Sequence, residues 1–273
     1  MIQFGTITDI HWGPDEGTRA GSQAPNLVTE IVNSYNAFDA LDFVVELGDR
    51  IGNVDRDHDL KHLCELSKVI KKLNVRYYPL LGNHDVRNLT PEENEEVLNS
   101  QVGFRTIKVK DIELIFLNAQ DPTRGGLGGN IGKDQLKALQ KALLSDKRPA
   151  LVFTHQPLDE QDVSNNIYFE EWKRGNYAYV ESRKEVRALL ERSGRVKAVF
   201  QGHTHWNRLE HHAGIPYFTQ ASVTETGNIP SNQAGAYYSI VRLGREGLKM
   251  MIRGQFPVRF ELSSAELGGR IDN

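Results

Sequence analysis

The sequence predicts an α/β fold of four layers, α-β-β-α, in which two mixed β-sheets pack together and helices cover the outside. Three observations carry this expectation. Short apolar, strand-like runs alternate with segments of helical period through most of the first 200 residues, the pattern of β-α-β units. Beyond Gly202 the helical segments stop and short strands follow one another across Gly and Pro turns, the pattern of a more antiparallel sheet. With 273 residues, 39% of them hydrophobic, the chain can bury a sizeable core.

Taken in order, strands are expected at 2–8, 41–47, 76–81, 113–118, 150–154 and 196–201. Helices are expected between them. Leu60, Leu63, Ser67 and Ile70 fall on one helical face, as do Leu136, Leu139 and Leu143. Thr90-Pro91-Glu92-Glu93 reads as a helix start, with Thr as cap, Pro at the first position and Glu three after the cap. Further strands are expected at 209–212, 215–220, 237–243 and 248–253. Residues 1–262 read as one domain, with no linker or repeat, and 263–273 as a frayed or surface-docked tail. Two loops interrupt the pattern. The segment 120–132 is glycine-rich and reads as mobile or tightly turning. The segment 157–179 holds Tyr168, Phe169, Trp172, Tyr177 and Tyr179, which could stack a base, close over a site, or pack on the sheet edge or a partner subunit.

Composition excludes several classes. The charged fraction of 25% and net charge of −3 are those of an ordinary globular protein, not of a disordered or fibrous chain. They also argue against general binding to nucleic acid or membrane surfaces. No apolar run approaches the ~18 residues of a membrane span. The single cysteine, Cys64, allows no intramolecular disulfide, and with no secretory-type leader a cytoplasmic location is expected.

The chemistry lies in five clusters that close strand-like runs. These are Asp9-Ile10-His11, Gly48-Asp49, Gly82-Asn83-His84-Asp85, His155 and Gly202-His203-Thr204-His205. A chance Gly-Asn-His-Asp is expected in on the order of one chain per thousand. In an α/β fold such residues gather at the C-terminal ends of the strands. Carboxylates and imidazoles together suit divalent Mn, Fe, Co or Zn. Asp9, Asp49, Asn83 and the five histidines exceed the needs of one ion. Two ions roughly 3.5–4 Å apart, bridged by a carboxylate, would use nearly all of them. The two carboxylates offset only part of the four positive charges, so an anionic phosphate is favoured. Nothing offers a better nucleophile.

This ordered set resembles the calcineurin-like metallophosphoesterases, with all five motifs matched between residues 9 and 205. The resemblance implies that Asp9, His11 and His205 hold a first metal, that Asn83, His155 and His203 hold a second, and that Asp49 bridges. Both would be divalent ions, with Mn or Fe favoured over Zn. It implies in-line attack on phosphorus by a metal-bound hydroxide. His84 would act as proton donor or phosphate contact, with Asp85 orienting its ring. In size and in the run after Gly-His-Thr-His the chain resembles the branch containing class III cyclic-nucleotide phosphodiesterases, glycerophosphodiesterases and manganese-dependent nucleotide-diphosphate hydrolases. It departs from the Gly-Asp-x-x-Asn of that branch, because Gly52 intervenes and Asn53 is displaced. The expected activity is a phosphodiesterase on small nucleotide- or glycerol-type diesters. The alternatives are a phosphomonoesterase on nucleotide or sugar phosphates and, outside enzymes, a partner-binding scaffold. The expected partner is a small phosphoester, and self-association is left open. Arg50 and Arg87 follow the motifs and could contact substrate phosphate or form ion pairs. Trp12 and Trp206 could wall the site or pack. His58 and His62 read as a solvated helix face, and Cys64 as a small core residue.

Overall fold

A computed structural model describes the chain apart from residues 124–127, 170–174, 228–232 and 269–273. Two mixed sheets form, as predicted, each of six strands. The strands beyond Gly202, however, do not make a second sheet of their own: Arg208–His212 and Ile215–Thr219 extend one sheet, and Tyr238–Gly244, Gly247–Arg253 and Val258–Ser263 the other. The first runs β14 (Val258–Ser263), β13 (Gly247–Arg253), β12 (Tyr238–Gly244), β1 (Ile2–Ile7), β2 (Phe43–Glu46) and β3 (Arg76–Pro79). The second runs β10 (Arg208–His212), β11 (Ile215–Thr219), β9 (Val196–Gln201), β8 (Ala150–Phe153), β5 (Ile112–Phe116) and β4 (Arg105–Val109). Strands β1–β3 are mutually parallel, as are β5, β8, β9 and β11, while the remaining pairings within both sheets are antiparallel. Two short strands, β6 (Gln120–Asp121) and β7 (Asn130–Ile131), pair in parallel at the two ends of the glycine-rich loop. Part of that loop, 124–127, lies outside the described residues.

The inner faces meet across an aromatic ladder. Phe116, Phe153, Phe200 and Phe218 are direct cross-strand partners on β5, β8, β9 and β11, and their rings stack at 5.2–5.4 Å. Phe4 of the opposite sheet sets its edge against Phe153 and Phe200 at 5.7 and 5.3 Å. Such pairs add about 0.5–1.5 kcal/mol each beyond area burial, so this ladder fixes the spacing and register of the two sheets. Outside, α1 (Ala24–Asn36) and α2 (Arg56–Ile70) cover the first sheet through Val28, Ile31, Val32 and Leu66. Helices α4 (Lys133–Ser145) and α5 (Arg183–Ser193) cover the second through Leu139, Leu143, Val186 and Leu190. The short α3 (Pro91–Leu98) begins with the expected capping box: Thr90 accepts from Glu93 N at 3.2 Å, and the Glu93 carboxylate accepts from Thr90 N at 2.8 Å.

Strands β4 and β14 were not foreseen. Each is an edge strand whose side chains alternate half-buried and exposed, with Lys108 and Arg259 facing water, so neither produces an apolar run. The expected tail begins as a turn that docks through buried Leu267. No helix among the described residues is long and apolar enough to cross a membrane.

Candidate metal centre

The C-terminal ends of β1, β2, β3, β8 and β9 lead directly into the five clusters. The backbone there is strained: Asp9, His11, Asp49, His203 and His205 all have φ between 45° and 70°, the left-handed region. For non-glycine residues this costs of order 1–2 kcal/mol each. Nine non-glycine residues have positive φ among those described, and five of them sit here. The strain turns side chains inward that regular strands would send to alternate faces. Packing is close enough that two motif glycines admit no side chain. A Cβ on Gly82 would lie 2.2 Å from Asp49 Oδ1, and one on Gly202 would lie 2.2 Å from Thr8 Oγ1.

Each carboxylate has one oxygen held by hydrogen bonds and one turned toward the imidazoles. Asp9 Oδ2 accepts from Thr8 Oγ1 at 2.6 Å and from His203 N at 3.0 Å. Its Oδ1 is buried without a hydrogen-bond partner, 3.2 Å from His205 Nε2 and 3.8 Å from His11 Nε2. Asp49 Oδ1 accepts from His84 N at 2.7 Å, and Oδ2 lies 3.2 Å from His155 Nε2. The imidazoles follow the same rule. His155 Nδ1 donates to Leu47 O at 2.9 Å, His205 Nδ1 meets Glu225 Oε2 at 2.9 Å, and His203 Nε2 donates to Tyr177 O at 3.0 Å. In each ring this holds the imidazole and turns the other nitrogen toward the centre, where His205 Nε2 meets His11 Nε2 at 3.0 Å. Asn83 Oδ1 accepts from Gln156 Nε2 at 3.2 Å, and Gln120 in turn holds Gln156 at 3.0 Å.

One potential ligand atom from each residue falls into groups within 4.8 Å of one another: Asp9, His11 and His205; Asp49, His155 and His203; and a third set, His11, Asp49 and His84, that joins them. These convergent carboxylate and imidazole atoms, of which Asp9 Oδ1 and His155 Nε2 are buried without a hydrogen-bond partner, fit the coordination chemistry of divalent cations. The titration pattern agrees. Burial opposes charge on Asp9, but His205 and His155 hold its carboxyl below the ordinary value. Against the same penalty, His155 and His84 hold Asp49 well below it. Despite burial, His155 is raised to about 9 by Asp49, and His205 to about 9 by Asp9 and Glu225. Without metal, then, protons on two imidazoles balance the two carboxylates.

His84 borders the centre at the wall of a cavity of about 590 Å³. Burial, with Arg19 beside it, lowers its ring to about 4. Arg19 Nη1 stands 3.2 Å from Nε2 and the Asn53 amide nitrogen 2.7 Å from Nδ1, so both ring nitrogens face N–H donors. Asp85 does not orient this ring, contrary to expectation. It points the other way and accepts from Asp49 N, Arg50 N and Gly82 N at 2.8–2.9 Å, stitching the β2 and β3 loops together. Arg50 is no substrate contact. It is fully buried, with Nε on Glu46 at 2.8 Å and Nη1 on Asn94 at 2.7 Å. Arg87 is exposed and lines the cavity.

The aromatic segment packs onto the motif histidines. The Tyr168 ring meets His205 edge-on at 4.8 Å, and Phe169 lies 5.3 Å from His203. Tyr168 OH also donates to Glu225. Trp172 lies outside the described residues. Trp12 is buried with its indole toward Glu65, Trp206 stacks under Arg208 at 4.3 Å, and His58 is exposed beside Asp55. Arg19, Glu225 and the Tyr177 carbonyl were not singled out in the sequence, and Asn53 was noted only as displaced from the Gly-Asp-x-x-Asn pattern. Arg19, Glu225 and Tyr177 belong to loops without a motif and reach the site only through long-range folding.

Comparison with known proteins agrees with this geometry. Residues 2–207 match the calcineurin-like phosphoesterase family. No curated protein matches the sequence. Among solved structures, a dimetal phosphatase from Danio rerio superposes with a TM-score of 0.75 at 19% identity, covering 96% of this chain and 99% of that one. GAP50, the anchor in the inner membrane complex of Plasmodium, gives 0.61 at 14% identity over 96% and 88%. A phosphopantetheinyl hydrolase from Mycobacterium tuberculosis gives 0.52 at 12% identity over 84% and 93%. At these identities the structural likenesses establish the fold, and the family match accounts for the ordered ligand set: the chain belongs to the calcineurin-like phosphoesterases, metal-dependent hydrolases of phosphoesters.

Proposed function

We propose that the chain is a dinuclear phosphodiesterase acting on small nucleotide- or glycerol-type diesters. One observation carries the preference for diesters, the room available on two sides of the centre. Beside the 590 Å³ cavity lies a second pocket of about 280 Å³, and the two share His205 and Tyr168 in their walls. A diester needs space for an organic group on each side of phosphorus, whereas a monoester needs it on one. Trp206, Tyr237 and Phe256 give the second pocket an apolar lining suited to a ring.

In this reading Asp9, His11 and His205 hold one divalent ion, Asn83, His155 and His203 the other, and Asp49 both. The absence of thiolate ligands favours Mn or Fe. Such ions supply Lewis acidity toward phosphoryl oxygens and a water that is nucleophilic at neutral pH. Leu47 O, Tyr177 O and Glu225 keep the imidazole donor atoms aimed inward. Tyr168 and Phe169 keep water from the flanks of His205 and His203. His84 stands at the wall of the cavity, as a proton donor to the departing oxygen or as a phosphate contact, and Arg87 meets the substrate at the rim. The single half-buried cysteine suits a reducing compartment, the cytoplasm.

The non-enzymatic reading has a parallel in the Plasmodium protein, an anchor by name. Against it stands a complete set of inward-facing donors, which a scaffold has no need to keep strained. The test is hydrolysis of bis-p-nitrophenyl phosphate and p-nitrophenyl phosphate after chelation and then with Mn²⁺. Turnover restored by Mn²⁺ with preference for the diester supports the proposal. Preference for the monoester moves the function to nucleotide or sugar phosphates, and no turnover on either leaves the scaffold.

A further inference from the structure

The turn at residues 16–19 carries an arginine that the metal centre does not use. Arg19 is 12% exposed, and its guanidinium enters the main cavity, where Nη1 donates to His84 Nε2 at 3.2 Å. Nε and Nη2 form the opposite edge, the fork that matches two oxygens of a phosphoryl group. Here that fork is half filled: Nη2 pairs with Glu16 at 2.6 Å, while Nε is buried with no hydrogen-bond partner.

The backbone beneath Arg19 is fixed. Arg19 bridges to Glu225, Ala20 N donates to Thr224 O at 2.9 Å, and Thr226 N donates to Thr18 O at 2.8 Å. Thr18 Oγ1 also meets Tyr168 OH at 2.6 Å. Glu16, by contrast, is 62% exposed at the solvent side of the turn. It is the one carboxylate within ion-pair distance of Arg19 among the described residues. A cation held this near His11, a ligand of the first ion, is repelled by a filled centre unless an anion lies between them. The arrangement therefore presents a rigidly placed cation, an unmet donor and a loosely held anion at one point of the substrate cavity.

We propose that Arg19 is a substrate-binding residue that takes non-bridging phosphoryl oxygens on its Nε–Nη2 edge, and that Glu16 is a removable stand-in for them. This deepens the phosphoesterase reading and rests on it. Because an exposed ion pair contributes little, displacing Glu16 weakens phosphate binding by no more than about fivefold. The hydrogen bonds from Arg19 to phosphate are charge-assisted, and losing them costs roughly 10- to 100-fold in affinity.

The test is calorimetric titration of the Mn²⁺-loaded protein with inorganic phosphate, which needs no turnover. Arg19→Ala should weaken phosphate by roughly 10- to 100-fold, Arg19→Lys should recover part of the loss, and Glu16→Gln should tighten binding by up to about fivefold. Added guanidinium should rescue Arg19→Ala in part. Melting temperature should stay unchanged in all three variants and Mn²⁺ affinity should not fall, since a merely structural role would lower both. Unchanged phosphate affinity in Arg19→Ala, weaker binding in Glu16→Gln, or no phosphate binding by the native protein overturns the proposal. Turnover of the nitrophenyl esters is read on the same samples. If it persists while these affinities fail to shift, the Arg19 assignment falls and the phosphoesterase stands; if it is absent, the phosphoesterase reading itself falls.

Discussion

Replacing Arg50 with Met separates two roles for this residue, support of the site from below and contact with substrate from above. Its guanidinium is fully buried and meets Glu46, Asn94, Asp85 and the Leu80 carbonyl. Burial opposes its charge, but Asp85 and Glu46 more than compensate and raise its pKa. Methionine fills the space without the charge, so Glu46 and Asp85 are left as uncompensated buried carboxylates beneath the Asp49 loop. Breaking a buried pair from one side costs about 3–5 kcal/mol. At about 2–4 °C per kcal/mol, the melting temperature should fall by roughly 6–20 °C. The assay is thermal denaturation followed by circular dichroism, on Arg50→Met and on the double variant with Glu46→Gln. The double variant should recover part of the loss because one orphaned charge is gone. KM for bis-p-nitrophenyl phosphate at room temperature should stay unchanged. A melting temperature within about 2 °C of the native protein, together with a raised KM, would refute the reasoning.

Three further outcomes follow from the same geometry. His84→Ala should cost about 10²–10⁴ in kcat with a poor leaving group and less with p-nitrophenolate, which needs no proton; equal losses would make His84 a phosphate contact alone. Glu225→Gln removes the carboxylate behind His205 and should weaken Mn²⁺ binding by about 10- to 100-fold in calorimetry, whereas native affinity would show that Glu225 does not position the ring. In the metal-free protein His155 and His205 are raised from 6.5 to about 9, so the stability they contribute is complete below pH 6.5 and lost as pH rises toward 9. The melting temperature of the metal-free protein should decline across that window, and Mn²⁺ binding below it should release protons. A flat profile, or uptake of protons on binding, would contradict these shifts.

The parts of the site that the sequence discloses are those in which short-range pattern and function coincide. Asp9, Asp49, His155 and His203 each close an apolar run, and β-α-β alternation sends such positions to one sheet edge. Gly82 and Gly202 are legible for a related reason, because their motifs are local and no side chain fits at either place. What escapes is contributed by contact alone. Glu225 stands 20 residues from His205 and carries no motif, and Arg19 stands 65 residues from His84. Arg50 and Asp85 show the opposite failure. They adjoin motif residues, yet the same sharp turns that present Asp49 and His84 to the cavity direct these neighbours into the protein, where they bind each other's loops. The edge strands β4 and β14 escaped because half their side chains face water.

The most direct test of the account is the number of Mn²⁺ ions bound per chain, measured by titrating chelator-treated protein alongside Asp49→Ala. Asp49 belongs both to the group with His155 and His203 and to the group with His11. The account therefore predicts two ions for the native chain and loss of tight binding at both positions in the variant. A single ion in the native chain, or two ions still held by Asp49→Ala, would contradict a centre built around a shared carboxylate.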